Sequence, residues 1–484
     1  MMVSDTSASS AWNMINWNTV EFQVKQLQMR IAKATQEKRY GKVKALQWLL
    51  THSLYAKLLA VKHVTENRGA KTPGIDKVTW KSSNLKYNAV SLLKRRGYSA
   101  LPLRRIYIPK KDSKNRPLGI PAMKDRAMQV LYLLALEPVA ESIADKNSYG
   151  FRPYRSCADA IEQSFTALSR RTSAQWILEG DIKSCFDKIS HQWLLNNAPM
   201  DKLILAKWLK SGYIEQQQLF ATDEGTPQGG IISPTLLTIT LAGLETKIKT
   251  VVRQRDKVNV VVYADDFIVT GATHDVLQNK VIPIVTEFLR ERGLELSTEK
   301  TKITDIHTGF NFLGFNIRKY KHKLLIKPAK ESINSFLANI RQTVVANVSN
   351  KTATLINLLN PKIKGWTYYY RHVVAKAAFS KVDSEIFKII WSWSKKRHPH
   401  KSAKWICKKY FCRVESDNWV FYAGIQPANG RYRLLTLLKA RTVKIVRHVK
   451  VIARANPYNP LYTEYFQERL MRNKSSKVSG SLTA

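Results

Sequence analysis

Apolar residues recur at helical spacing at the front of the chain: Val20, Val24, Leu27 and Ile31, then Val43, Leu46 and Leu50. That period predicts two amphipathic helices whose outward positions are largely basic. A turn-rich loop around Pro73-Gly74 follows, and then the pattern changes. Leu103–Ile108 and Pro117–Pro121 flank a polar tip, the form of a β-hairpin. Lys124–Leu136 is apolar almost throughout and predicts a buried helix, with Asp125 near its start and Pro138 ending it. Ser156-x-x-Asp159 opens the next helix as a capping box. Trp176, Ile177 and Leu178 lead as a strand toward Asp181, and Val258–Tyr263 and Phe267–Thr270 predict two further strands folding back on each other. Gly293–Ser297 and Phe310–Phe315 read as strands closing the same sheet. Beyond Lys330 the period is helical again. Trp366, Tyr369 and Tyr370 lie within one turn, and Ile386, Phe387, Ile389, Ile390 and Trp393 offer a partner face. Thr436 to Ile452 reads as a basic, mostly apolar helix, followed by a turn-rich stretch, a short helix and a Ser/Lys/Gly tail of disordered composition.

Composition narrows what such a chain can handle. Its 484 residues suffice for roughly three domains, and 44% hydrophobic content is ample for packed cores. Lys and Arg number 79 against 36 acids, a formal net charge of +43. An excess of that size calls for a polyanionic partner. The charge is spread along the whole length, which favours nucleic acid over a membrane surface. No apolar run is long enough to span a bilayer, and the first residues have neither a signal-peptide core nor an Arg-rich transit pattern. Cys157, Cys185, Cys407 and Cys412 form no CxxC pair, so neither a disulfide framework nor a zinc ribbon is expected. These features predict a cytoplasmic protein of a reducing compartment.

The candidate chemistry lies at the strand ends. Asp265-Asp266 occupies the turn between two apolar strands; Asp suits turns, but a charged pair at the tip of buried strands is costly unless a cation meets it. Asp181 supplies a third carboxylate where the Trp176 strand gives out; Asp187 is the rival, but it lies inside the following turn and could be a helix cap, which favours Asp181. Three carboxylates from adjacent strand ends suit two divalent ions, an arrangement that stabilises attacking and leaving oxygens in phosphoryl displacement. Oxygen ligands without His or Cys select Mg²⁺. Lys110 and Arg116, on opposing arms of the hairpin, could clamp a triphosphate or simply coat a solvated tip. Arg152 fits a phosphate contact or an ordinary loop, and Gly229-Gly230 permits close approach of a backbone or a sugar. Lys395, Lys396, Arg397, Lys401, Lys408 and Lys409 stand among aromatic residues, a mixture that suits structured RNA. His398, His400, Cys407 and Cys412 could make a zinc site, although their spacing fits no common pattern.

In chain order, Ile108-Pro-Lys…Arg116-Pro-Leu-Gly-Ile-Pro121, Ser148-Tyr-Gly-Phe-Arg-Pro153, Asp181-Ile-Lys-Ser-Cys-Phe186, Gly225-Thr-Pro-Gln-Gly-Gly-Ile-Ile-Ser-Pro234, Tyr263-Ala-Asp-Asp266, Gly293-Leu-Glu-Leu-Ser297 and Phe312-Leu-Gly-Phe315 together resemble a reverse transcriptase, and more narrowly a bacterial-type group II intron-encoded reverse transcriptase/maturase. The polymerase-like part covers about residues 20–335. Leu355 to His372 resembles the maturase-specific thumb. The resemblance implies an α+β right hand: an N-terminal extension and start of fingers over 1–100, a fingers-palm core with a small antiparallel sheet over 101–335, a helical thumb over 336–435 and a basic segment over 436–484. It implies Asp181, Asp265 and Asp266, with the Ile182 carbonyl, as ligands of two Mg²⁺ ions. Lys110, Arg116, Phe186 and Gln228 would line the nucleotide site, Phe186 beneath the sugar, where a bulky ring excludes a 2′-hydroxyl. Arg152, Gly229 and Lys300 would lie along primer and template. The implied partners are intron RNA, an RNA template with DNA primer, dNTPs, target DNA and a second copy in a homodimer. Many relatives continue into an HNH endonuclease with cysteine pairs. No cysteine follows Cys412, so that domain is not expected and insertion would draw its primer from elsewhere, such as a replication fork. The alternatives are an RNA-binding splicing cofactor in which polymerisation is dispensable and a retron or phage-defence reverse transcriptase, which the long thumb disfavours.

Overall fold

The computed structural model describes residues 5–109, 115–227, 229–425 and 432–478. The first expected helix forms as Trp17–Gln36, with Asn16 accepting the Thr19 N–H at 3.2 Å as its N-cap. Val20, Val24 and Ile31 face inward, and Tyr40–His52 buries Val43, Leu46 and Leu50 in the same way. Both helices pack on a central helix, Met123–Ile143.

That central helix corrects one expectation, since it does not stop at Pro138 but continues for five more residues. A proline inside a helix lacks the N–H that would bond the carbonyl four residues back, here that of Leu134. The Gln28 side-chain amide donates to the Leu134 carbonyl at 2.8 Å and fills the vacancy. Gln47 does the same for the Ala135 carbonyl at 3.2 Å while also reaching the Pro199 carbonyl at 2.8 Å.

The chain divides into two units. One gathers the described residues up to 160, then 176–303 and 451–477; the other gathers 161–175 and 304–450. The stretch 304–335, grouped with the polymerase core by resemblance, thus falls in the second unit. The first unit holds one four-stranded sheet and the greater part of a second. In one, the hairpin forms as expected: Leu103–Pro109 runs antiparallel to Asn115–Ile120 with Ile108 opposite Arg116, and Tyr213–Glu215 and Gln218–Phe220 extend it. The other has the strand order Val260–Tyr263, Asp266–Gly271, Trp176–Asp181, Lys302–Asp305. Residues 260–262 and 267–271 are buried, so the register of these strands cannot slip without exposing apolar side chains.

The expected closing strands behave differently from one another. Leu296 makes a single antiparallel bridge to Ile182 at the edge of this sheet. Phe310–Phe312 instead joins Phe315–Tyr320 and Lys323–Pro328 in a separate three-stranded sheet of the second unit. There the helices Lys330–Val345, Thr352–Tyr370, Lys376–Arg397 and Ala403–Tyr410 follow, then a sheet of Phe411–Val414, Asp417–Ile425 and Arg433–Thr436. The helix expected over Thr436–Ile452 is absent. The segment is extended apart from one short turn, Ala440–Thr442. Its backbone groups find tertiary partners instead of helical ones. The Asp383 carboxylate accepts the Ala440 and Arg441 N–H groups at 2.6 and 2.9 Å, the Arg371 carbonyl accepts that of Val446, and Lys376 donates to the Arg441 and Val443 carbonyls. With β-branched Val443, Ile445, Val446 and Val449, helix propensity offers little against them. No helix among the described residues is long and apolar enough to cross a membrane.

Candidate active site and nucleic-acid interface

The site begins with sheet register. Trp176–Asp181 pairs antiparallel with Asp266–Gly271 so that Asp181 stands opposite Asp266. Directly opposed residues project from the same face with Cα atoms about 4.5–5.5 Å apart. The neighbouring pair, Gly180 and Phe267, shows why this register holds: the Phe267 ring occupies the space a Cβ on residue 180 would need, so only glycine fits. Tyr263 faces Asp266 from the other side, and the two residues between them make the turn, with Ala264 in the left-handed region at φ 58° and Asp265 next. A second segment buttresses this turn. The Val262 carbonyl accepts the Tyr149 N–H at 2.9 Å, and Gly150 sits against the Ala264 backbone so closely that any Cβ would collide with it.

Asp181, Asp265 and Asp266 therefore lie at one sheet end, and the charges of the first two bear on the third. Asp266 is pushed up to about 6, first by the surrounding protein and then by the Asp265 and Asp181 charges, against relief from Lys300. Its side chain reaches solvent, but the protein packed around it still weakens hydration of the charge. The Lys300 ammonium lies 3.2 and 3.3 Å from the two Asp181 oxygens. Among the described residues no three His, Cys, Asp or Glu side chains are gathered as a ready metal cage. The donor set fits a hard cation all the same: every ligating atom is an oxygen and the local charge calls for neutralisation. Asp187, the rival carboxylate, lies exposed in the helical turn Cys185–Lys188, away from the strand pairing.

Around this centre the expected residues separate into distinct groups. Asp181 and Ile182 are fixed from outside by Ser297, whose N–H donates to the Asp181 carbonyl at 2.8 Å, and by the Ile182–Leu296 bridge. Phe186 is half-buried just beyond, edge-on to Phe151 at 6.0 Å, and its carbonyl accepts the Thr226 N–H at 2.6 Å. That bond ties the 225–234 loop to the turn after Asp181. Gly229 has φ 111°, and its close approach is to the protein's own hairpin: a Cβ there would meet the Gly119 carbonyl at 2.6 Å. Arg116 is exposed on its strand, and Lys110 and Gln228 lie outside the described residues.

Arg152 requires a correction. Its guanidinium is buried and donates to both Glu141 oxygens at 2.7 and 2.8 Å and to the Asp145 and Ser148 carbonyls at 2.7 Å, which leaves it nothing to offer primer or template. It holds the loop that carries Tyr149 and Gly150. Glu141, which also pairs with Arg155 at 3.0 Å, was missed by sequence reasoning, although a glutamate on an apolar helix was a signal that a buried cation would face it. Gln129, whose side chain accepts the Ile231 N–H at 2.7 Å and so anchors the 225–234 loop, gave no such signal.

In the second unit, Lys395, Lys396, Lys401, Lys408 and Lys409 are exposed. Lys409 and Lys401 lie over the Trp405 ring at 4.7 and 5.7 Å. Arg397 donates to the Val348 and Asn350 carbonyls at 2.7 Å and so braces a helix connection while staying half-exposed. The zinc alternative fails, since His398 is hydrogen-bonded to the Tyr410 hydroxyl at 2.7 Å and no metal-holding group exists among the described residues.

Three family models match the chain. Residues 108–317 match the family model described as reverse transcriptase (RNA-dependent DNA polymerase), residues 12–93 the N-terminal domain of reverse transcriptase, and residues 333–411 the maturase-specific domain of group II introns. The chain is 32% identical to protein YkfC of Escherichia coli over 344 residues, 61% of this chain and 87% of that protein. It is 39% identical to the group II intron-encoded protein LtrA of Lactococcus lactis over 209 residues, 41% of this chain and 34% of LtrA. A 91 kDa protein in the cob intron of Schizosaccharomyces pombe is 26% identical over 81% of this chain and 58% of its own length. The chain thus spans less than two thirds of the lactococcal and fission-yeast relatives. With the matched models in chain order and three carboxylates at one sheet end, this chain belongs to the group II intron-encoded reverse transcriptase/maturase family.

Proposed function

We propose that the protein extends a DNA primer on an RNA template and that its second unit grips the folded parent intron to promote splicing. The observation that carries the first half is Asp181 opposite Asp266, with Asp265 in the adjoining turn. Asp181, Asp265 and Asp266, with the Ile182 carbonyl, would hold two Mg²⁺ ions, which when bound supply charge neutralisation at the attacking and leaving oxygens. The chain's own residues do the rest. Arg116, joined by Lys110, holds the triphosphate of the incoming dNTP. Phe186 sits beneath its sugar and leaves no room for a 2′-hydroxyl. The primer 3′-hydroxyl attacks the α-phosphate, the bond to the β-phosphate oxygen breaks and pyrophosphate leaves. The Lys300 ammonium lies 3.2 Å from Asp181, on the side given to the primer.

The second half rests on the exposed Lys395, Lys396, Lys401, Lys408 and Lys409 beside aromatic rings. The reading in which polymerisation is dispensable keeps the same surface but gives the carboxylates no part in splicing. Asp266→Ala separates the two activities: cDNA synthesis on a primed RNA should collapse while splicing persists. Wild-type protein that extends no primer with Mg²⁺ and dNTPs would defeat the polymerase reading.

A further inference from the structure

The aromatic residues of the second unit are not all core. Phe387 and Trp391 lie one turn apart on the helix Lys376–Arg397, and their rings stack at 6.1 Å. Trp419 reaches them from the last sheet at 6.1 and 5.8 Å, over a floor of buried Phe411 at 5.5 to 6.1 Å from all three. Trp419 is 49% exposed and Phe387 36%, and Trp391 is half-buried, so the cluster reaches the surface.

The placement of Trp419 is costly. It sits at φ 60°, a region that bulky residues rarely adopt. The cause is a bulge. Cys412 pairs with Val420 and Val414 with Asp417, so Asn418 and Trp419 together oppose the single residue Arg413. A bulge of this kind re-aims a side chain, and here it turns an indole outward. Its base is locked by charge. Asp417 is paired with Arg441 and with Lys439 at 3.4 Å, and the Arg441 N–H is held by Asp383 on the same helix as Phe387 and Trp391. The surroundings are basic. Lys395 stands over Trp391 at 5.8 Å, and the exposed Arg413 lies opposite the bulge in the strand pairing, its Nε donating to the Glu415 carbonyl at 3.2 Å.

We propose that Phe387, Trp391 and Trp419 form a stacking platform for unpaired bases of RNA, with Lys395 and Arg413 meeting the adjacent phosphates. Flat rings beside cations suit an unstacked base and its phosphate, and a duplex, whose bases are already stacked, has nothing to place there. This rests on the RNA-handling reading above and adds which RNA the surface takes: a single-stranded loop or bulge.

The test uses the full chain and a 12-nucleotide RNA carrying 5-bromouridine, alone or annealed to its complement, with photocrosslinks mapped to peptides. Single-stranded RNA should crosslink at Trp419 or Trp391, and annealing should remove those crosslinks. Trp419→Ala should weaken single-strand binding about five-fold or more, and Trp419→Tyr should restore it. Primer extension, which uses the other unit, should be unchanged in both variants, and an unchanged thermal unfolding midpoint of Trp419→Ala reports that the second unit still folds. Crosslinks confined to the polymerase unit, equal binding of duplex and single strand, or tight binding by Trp419→Ala would overturn the platform and leave a protein partner for these rings. A preference for DNA of the same sequence would overturn the RNA assignment. Wild-type protein that binds no RNA at all would instead defeat the underlying reading.

Discussion

The two units solve the problem of presenting charge in opposite ways. In the first, three carboxylates of one sign are forced together by backbone hydrogen bonds, and their position follows from the pairing of Asp181 with Asp266. In the second, exposed lysines share a surface with rings that lie on two helices and a strand. A register is an all-or-none constraint, because a one-residue slip sends every side chain to the other face. A surface of separate contacts is graded, and each residue contributes its own small share. The first unit should therefore fail at single positions and the second only by degrees.

The largest expected effect tests that contrast at its sharpest. Asp266→Asn should lower primer extension at least about a hundred-fold, as loss of one electrostatic group at a reacting centre does, while intron RNA affinity stays unchanged in a filter-binding assay. Next comes the frame behind the turn. Glu141→Ala strips the buried Arg152 and Arg155 of their carboxylate and should cost about 3–5 kcal/mol of stability in chemical denaturation, with the 147–151 loop and extension activity lost together. Gln28→Ala reopens the Leu134 carbonyl left bare by Pro138 and should cost about 1–3 kcal/mol; a cost near zero would mean that water replaces the glutamine. The smallest effect belongs to the second unit. Lys395→Gln with Lys396→Gln should reduce the salt dependence of RNA binding by about one unit of slope per lysine and leave primer extension alone. A sharp loss from either single lysine would break the contrast between the units.

The catalytic half was legible because its chemistry sits in short local patterns. Apolar strands flanking Asp265-Asp266 and a strand running out at Asp181 announce themselves in the sequence, and burial of those strands fixes the rest. What escaped depends on partners far along the chain. Pro138 reads as a helix end unless Gln28, 110 positions earlier, is known to cover its carbonyl. Arg152 reads as a phosphate contact until Glu141 is seen to enclose it. Thr436–Ile452 has apolar and basic residues at helical intervals, but Asp383, Arg371 and Lys376 claim its backbone groups. Phe310–Phe312 has the composition of a strand, and composition does not say which sheet it joins. The bulge that aims Trp419 outward likewise leaves no local mark.

The central claim is that Asp181 shares bound cations with the Asp265–Asp266 turn. Fe²⁺ exchanged into the full-length protein and activated with ascorbate and peroxide cuts the backbone where it is bound. The account predicts two clusters of cuts, one near residue 181 and one near 265–266, both suppressed by excess Mg²⁺ and both lost in Asp266→Asn. Cuts at only one of the two stretches would contradict it.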